Sequence, residues 1–222
     1  MSLHSRLVRA GGPAALTILL LAAPVASAQV SISGPIAPPP IGGKNGGGSG
    51  TGNTAPVISS ITAVQVAGQK FRIYGKVTDD TPATCGVTLS GAATGVIPCD
   101  ASGNFDGVFD VQTPGPATAV ANDGQLQSAP ANLNLGNAAP TITMTITHGP
   151  NGAVTFSGKV TDEVPAGLVV TLTGGPGVAG SAIVLADGSW STTIILAEGA
   201  TGTATATVTD WYGLTGTATG GY

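Results

Sequence analysis

The sequence predicts an all-β protein of two tandem β-sandwiches set behind an export leader and a disordered Pro/Gly-rich linker. Three observations carry that expectation. The stretch Gly75-Lys76-Val77-Thr78-Asp79-Asp80 returns as Gly158-Lys159-Val160-Thr161-Asp162-Glu163, with matching residues on both sides. Apolar and polar residues alternate ahead of each copy, which is the period of a strand with one wet face. Finally, 35 Gly, 16 Pro and only 8% charged residues in a chain of 222 suit short strands and many turns. No long stretch after Ala28 carries a helical period, and the recurrent Gly and Pro would break one.

The chain opens with Arg6 and Arg9, an apolar run from Ala14 to Ala23, Pro24 and the small triplet Ala26-Ser27-Ala28. That order is a secretory leader, residues 1–28, cut after Ala28. The run falls short of the roughly 20 apolar residues a membrane span needs, so no span is expected after cleavage. Removing the two arginines leaves five basic residues against eleven acids, a net charge of −6. An acidic chain without Lys/Arg clusters makes nucleic acid and anionic membrane surfaces poor partners. Residues 29–52, with Pro38-Pro39-Pro40 and a run of glycines from Gly42 to Gly50, cannot bury enough apolar area to order themselves. They read as a linker, extended in its proline half and flexible in its glycine half.

Residues 53–136 form the first repeat and 137–222 the second. Asn53-Thr54-Ala55-Pro56 matches Asn137-Ala138-Ala139-Pro140 at an offset of 84 residues. Turn signals between short alternating segments suit a small antiparallel sandwich. In the first repeat Phe71, Ile73, Gly75 and Val77 share one face, while Lys70, Arg72, Tyr74 and Lys76 share the other. Cys85, Val87 and Leu89 alternate next. The chain turns over Gly91 to Gly95 and returns through Val96 to Cys99, and Phe105 follows the Asp100–Asn104 turn. The second repeat places Leu168, Val170 and Leu172, then Trp190 after an Asp-Gly turn, at equivalent positions. An aromatic at the same place in both copies is expected to be a core anchor rather than a sugar platform. The last strands, Thr203 to Thr209 and Leu214 to Thr219, are rich in Thr and Ala and read as thinly packed.

The order Asn-x-Ala-Pro, Gly-Lys-Val-Thr-Asp, Pro, Val-Thr-Leu, an aromatic after a Gly turn and a Thr/Ala-rich final strand resembles the bacterial immunoglobulin-like (cadherin-like) repeats of secreted and cell-surface proteins. The resemblance covers residues 53–222. It implies two immunoglobulin-like sandwiches, a structural, spacer or adhesive role, and location outside the cytoplasm, whether secreted, periplasmic or at the cell surface. In the cadherin-like relatives, Asn and Asp groups near the junctions of repeats hold calcium.

Candidate chemistry is sparse. Cys85 and Cys99 flank one hairpin in an exported chain and are expected to form a disulfide. His148, the one histidine after the leader, lies by Gly149-Pro150 and reads as a solvated loop residue, which leaves no base for a Ser-His-Asp or Cys-His arrangement. Among paired carboxylates, Asp79-Asp80 recurs as Asp162-Glu163, and Asp106 and Asp110 face away from Phe105 and Phe109. Recurrence points to a job each repeat needs rather than to one catalytic centre, so no enzyme is expected. Calcium is the only cofactor with a candidate ligand set, namely Asp79, Asp80 and Asp123 in the first repeat and Asn137, Asp162, Glu163 and Asp210 in the second. Trp211-Tyr212 stands where the first repeat has Asp123-Gly124 and the residues after it. This pair is the candidate for binding an extracellular glycan or protein, with packing on a neighbouring edge as the alternative.

Overall fold

The computed structural model describes residues 52–222, so the leader and all of the linker but Gly52 lie outside the described residues. Every strand pairing is antiparallel. In the first unit β1 (Val57–Ala67), β2 (Lys70–Thr78) and β5 (Asn104–Asp110) form one sheet in the order β1-β2-β5. The other contains β3 (Gly86–Gly91), β4 (Gly95–Pro98), β6 (Gly115–Asn122) and β7 (Ala131–Leu135), in the order β4-β3-β6-β7. The second unit repeats the plan. Its β8 (Thr141–Ile142) and β9 (Thr145–His148) share the place of β1 and both pair with β10 (Ala153–Thr161), whose other neighbour is β13 (Ser189–Ile195). Its second sheet runs β12-β11-β14-β15, formed by β11 (Val169–Gly174), β12 (Ala179–Ile183), β14 (Thr203–Thr209) and β15 (Thr215–Gly221). The molecule is thus all-β with two sheet-rich units, consistent with tandem immunoglobulin-like sandwiches.

Each unit buries its own core between its two sheets. Phe71, Ile73, Val77, Val87, Leu89, Phe105 and Leu135 are buried in the first, and Phe156, Val160, Val170, Leu172, Trp190 and Tyr222 in the second. The period-two alternation sends these inward and Lys70, Arg72 and Lys76 outward, where Lys70 pairs with Asp110 and Arg72 with Asp106. Exposed pairs of this kind add little stability. The Thr/Ala strand β14 is better packed than its composition suggests, because Ala204, Ala206 and Val208 are all fully buried.

The repeated glycine and the repeated aromatic are two halves of one contact. Gly75 lies directly opposite Phe105, and Gly158 directly opposite Trp190. A Cβ on Gly75 would collide with the Ser60 carbonyl and the Phe105 ring, and one on Gly158 with the Thr143 carbonyl and the Trp190 indole. Glycine is required here by close approach, so the aromatic ring lies over bare backbone. The turn before each aromatic places Gly103 and Gly188 at φ +81° and +82°, a left-handed conformation that glycine adopts without a Cβ penalty.

The expected Cys85–Cys99 disulfide is absent: both cysteines are free thiols, buried in the first core. They do face each other, with the Cys99 amide donating to the Cys85 carbonyl at 3.0 Å. A cross-strand pair at a hydrogen-bonded site holds its Cβ atoms toward the wide end of about 4.5–5.5 Å, where a disulfide prefers about 3.5–4.5 Å. Burial, followed by the charge of Asp79, pushes the Cys85 thiol up to about 11, and burial also raises that of Cys99. Both act as small apolar core residues, as Leu168 and Val184 do in the second unit.

Candidate functional site at the joint between the units

The acidic residues that recur in sequence meet in space at one end of each unit. In the first, Asp79 accepts the Thr81 amide at 2.8 Å, closing the turn after β2. Asp80 accepts the amide and the hydroxyl of Thr54 at 3.3 and 3.1 Å. Asp123 accepts the Gln125 and Leu126 amides, each at 2.7 Å, and the Asn53 side chain at 2.8 Å. These amide bonds, the Leu126 one first, hold the Asp123 carboxyl below its usual range. The second unit copies the pattern. Asp162 accepts Val164 N at 2.9 Å, Glu163 accepts Ala138 N at 3.1 Å, and Asp210 accepts the Tyr212 and Leu214 amides at 2.8 Å and Asn137 Nδ2 at 2.7 Å. In both units one acid closes a turn and the others tie the incoming segment, from Asn53 or Asn137, to the end of the sandwich.

The two ends differ in what is left over. The first has one buried acceptor without a donor, Asp79 Oδ1, whereas the second has three: Asn137 Oδ1, Asp162 Oδ2 and Glu163 Oε2. Burial, and then the charges of Glu163 and Asp210, raise the Asp162 carboxyl above its ordinary range. Among the described residues no group of three or more His, Cys, Asp or Glu side chains is placed to hold a metal ion. Any cation at the second end would therefore rest on two carboxylates and an amide oxygen.

Trp211 and Tyr212 leave that same end and reach the first unit. Asp210 bonds the amides of Tyr212 and Leu214 and so fixes the loop. Trp211 Nε1 donates to the Val164 carbonyl at 3.0 Å within its own unit, and its ring packs against Gly167 there and Gly68 across the joint. Gln69 Nε2 crosses in return to donate to the Trp211 carbonyl at 3.1 Å. Tyr212 Oη donates to the Val111 carbonyl at 2.9 Å, and its ring packs against the first core. Buried Gln65 bonds the Gly68 carbonyl and steadies the turn on which Trp211 lies.

The remaining candidates do not converge on this end. His148 is solvent-exposed, but it ends strand β9 opposite Val154 instead of occupying a loop. Asp106 and Asp110 lie on the exposed face of β5, paired with Arg72 and Lys70. Sequence reasoning missed the receiving side of the joint, Gly68, Gln69 and the Val111 carbonyl, since two of the three contribute only backbone. The repeats did hold a signal. The second unit has Asn151 at the position of Gly68, with φ +57° against +51°, so at this position the side chain is missing only in the unit that meets the tryptophan.

No protein-family model matches the chain, and no curated relative matches it. Among solved structures it is similar to "Biofilm associated protein - BSP domain" at 16% identity, covering 70% of this chain and 27% of that one, with a TM-score of 0.28. The chain spans about a quarter of that structure's length, and at that TM-score the likeness carries no argument. The fold assignment rests on the strand pairing described above. Among the described residues no helix is long and apolar enough to cross a membrane.

Proposed function

We propose that the chain is an exported, non-catalytic spacer in which a Pro/Gly arm, residues 29–52, carries two immunoglobulin-like sandwiches, residues 53–136 and 137–222, joined as a stiff rod. One observation carries this reading: the Trp211-Tyr212 loop is used on the neighbouring unit. Its indole N–H, its tyrosine hydroxyl and its backbone carbonyl are each paired, two of them across the joint. That geometry favours a structural joint over the ligand-binding role that exposed aromatics would suggest, although Trp211 keeps 38% of its surface exposed. Small-angle scattering of residues 53–222, without the Pro/Gly arm, tests the reading. A maximum dimension fixed across salt concentrations supports a rod, and a broad, salt-dependent distribution contradicts it.

A second reading, a calcium-stabilised ligand-binding module, is favoured by the three buried acceptors without donors at Asn137, Asp162 and Glu163. Hard oxygen donors of this type suit calcium. Binding to the folded state alone would raise the unfolding temperature by mass action. Identical unfolding curves in excess calcium and in chelator would sink this reading and leave the spacer intact.

A further inference from the structure

The two units disagree at one edge. Strand β12 pairs with β11 and, on its other side, with nothing among the described residues. The Val184 amide donates to the Leu168 carbonyl, so strand alternation turns the amides and carbonyls of Ile183 and Ser181 away from β11. They form an open ladder. The equivalent edge of the first unit, β4, is blunted there, because the residue in register with Ile183 is Pro98, which has no N–H to offer.

The side chains change in the same direction. Ile183, Val169 opposite it and Leu185 beyond it are 67%, 48% and 60% exposed. Their counterparts by register and turn bonding are Pro98, Gly86 and Asp100. One repeat therefore serves as a control for the other. The fold needs neither an aliphatic trio nor an open ladder at this edge, yet the second unit has both. Charge does not oppose a second copy here. From Val178 to Leu185 the strand and its flanks contain no charged residue, whereas the chain as a whole is acidic. A second copy thus meets no repulsion along this edge despite its like net charge.

We infer that β12 is a self-association edge whose partner is β12 of a second copy of this chain. Two identical strands pairing antiparallel are related by a two-fold axis, the isologous arrangement of most homodimers. Pairing centred on Ala182 sets Ile183 of each copy opposite Ser181 of the other, so that their outward amides and carbonyls bond across the axis, brings the two Ile183 side chains to diagonal positions, and joins two four-stranded sheets into one of eight strands. A patch of this size gives a weak dimer, with a dissociation constant in the micromolar to millimolar range.

Sedimentation velocity over that concentration range, on protein purified after export, tests the inference. Parent protein should shift from monomer to dimer with concentration. Ile183→Lys, which brings like charges together, and Ser181→Pro, which deletes an outward amide, should each weaken the dimer at least about tenfold. Val96→Lys on the blunted edge should leave it unchanged. A parent monomeric throughout, an Ile183→Lys protein that dimerises like the parent, or a Val96→Lys protein weakened as much as Ile183→Lys overturns the inference.

Discussion

Replacing Tyr212 by Phe deletes one oxygen and tests whether the joint stabilises the molecule. The hydroxyl donates to Val111 O at 2.9 Å, and Val111 is fully buried, so no solvent takes its place readily. A net hydrogen bond is worth about 1 kcal/mol, and leaving the buried carbonyl unpaired brings the loss to about 1–2 kcal/mol. For a unit of this size each 1 kcal/mol lowers the unfolding midpoint by about 4–8 °C. The assay follows from the sequence. Both tryptophans lie in the second unit, Trp190 in its core and Trp211 at the joint, so their fluorescence follows that unit and the joint while far-UV circular dichroism follows both units. In the parent the two signals should fall together because the units share a joint. In Tyr212→Phe both midpoints should drop and the two transitions separate. Midpoints within about 1 °C of the parent, still coincident, would refute the coupling.

Other expectations follow from the same geometry. Gly158→Ala forces a Cβ against the Thr143 carbonyl and the Trp190 indole and should destabilise the second unit by about 2 kcal/mol or more, measured by urea unfolding. The free thiols should ignore thiol reagents in the native protein and react only on unfolding, because both are buried, and the midpoint should be unchanged by reductant, because they are not joined. Asp162 has its pKa raised by burial, so the folded state binds the proton more tightly than the unfolded one. Stability of the second unit should therefore fall as pH rises through the Asp162 titration, and Asp162→Asn should flatten that slope in thermal scans at stepped pH. Asp100 and Asp123 have theirs lowered, mainly by hydrogen bonds from Asn104 and from Leu126 respectively. Their contribution is present above the ordinary carboxylate range and is lost as pH falls below it through the lowered folded-state values; the second unit has one such group, Asp187, and its Asp162 is shifted the other way, so the first unit should be the more acid-sensitive.

Much of this architecture was legible because the chain contains its own comparison. Phe71, Ile73 and Val77 alternate in the first copy as Val154, Phe156 and Val160 do in the second, which fixed the inward face of the central strand, and both sets are buried. The acidic positions recur, which pointed away from catalysis and toward turn closure, and Asp79 and Asp162 do close turns. The cysteines misled because a shared hairpin sets proximity but not Cβ separation. That separation depends on which cross-strand site the pair occupies, and composition does not encode it. His148 belongs to a strand because the first strand of the second unit breaks after Ile142 and resumes at Thr145, and no turn residue marks the break. The joint was half visible. Trp211-Tyr212 stood out as an aromatic pair specific to the second repeat, but its acceptors Val111 and Val164 act through carbonyls common to every residue.

If the Trp211-Tyr212 contacts hold, the two units tumble as one body, and backbone ¹⁵N relaxation measured across both reports it. A common rotational correlation time for amides in β2 and β6 and in β10 and β14 is the result the joint predicts. Two distinct times, each suited to a single unit, would show that the Trp211-Tyr212 contacts do not hold in solution and would contradict the rod.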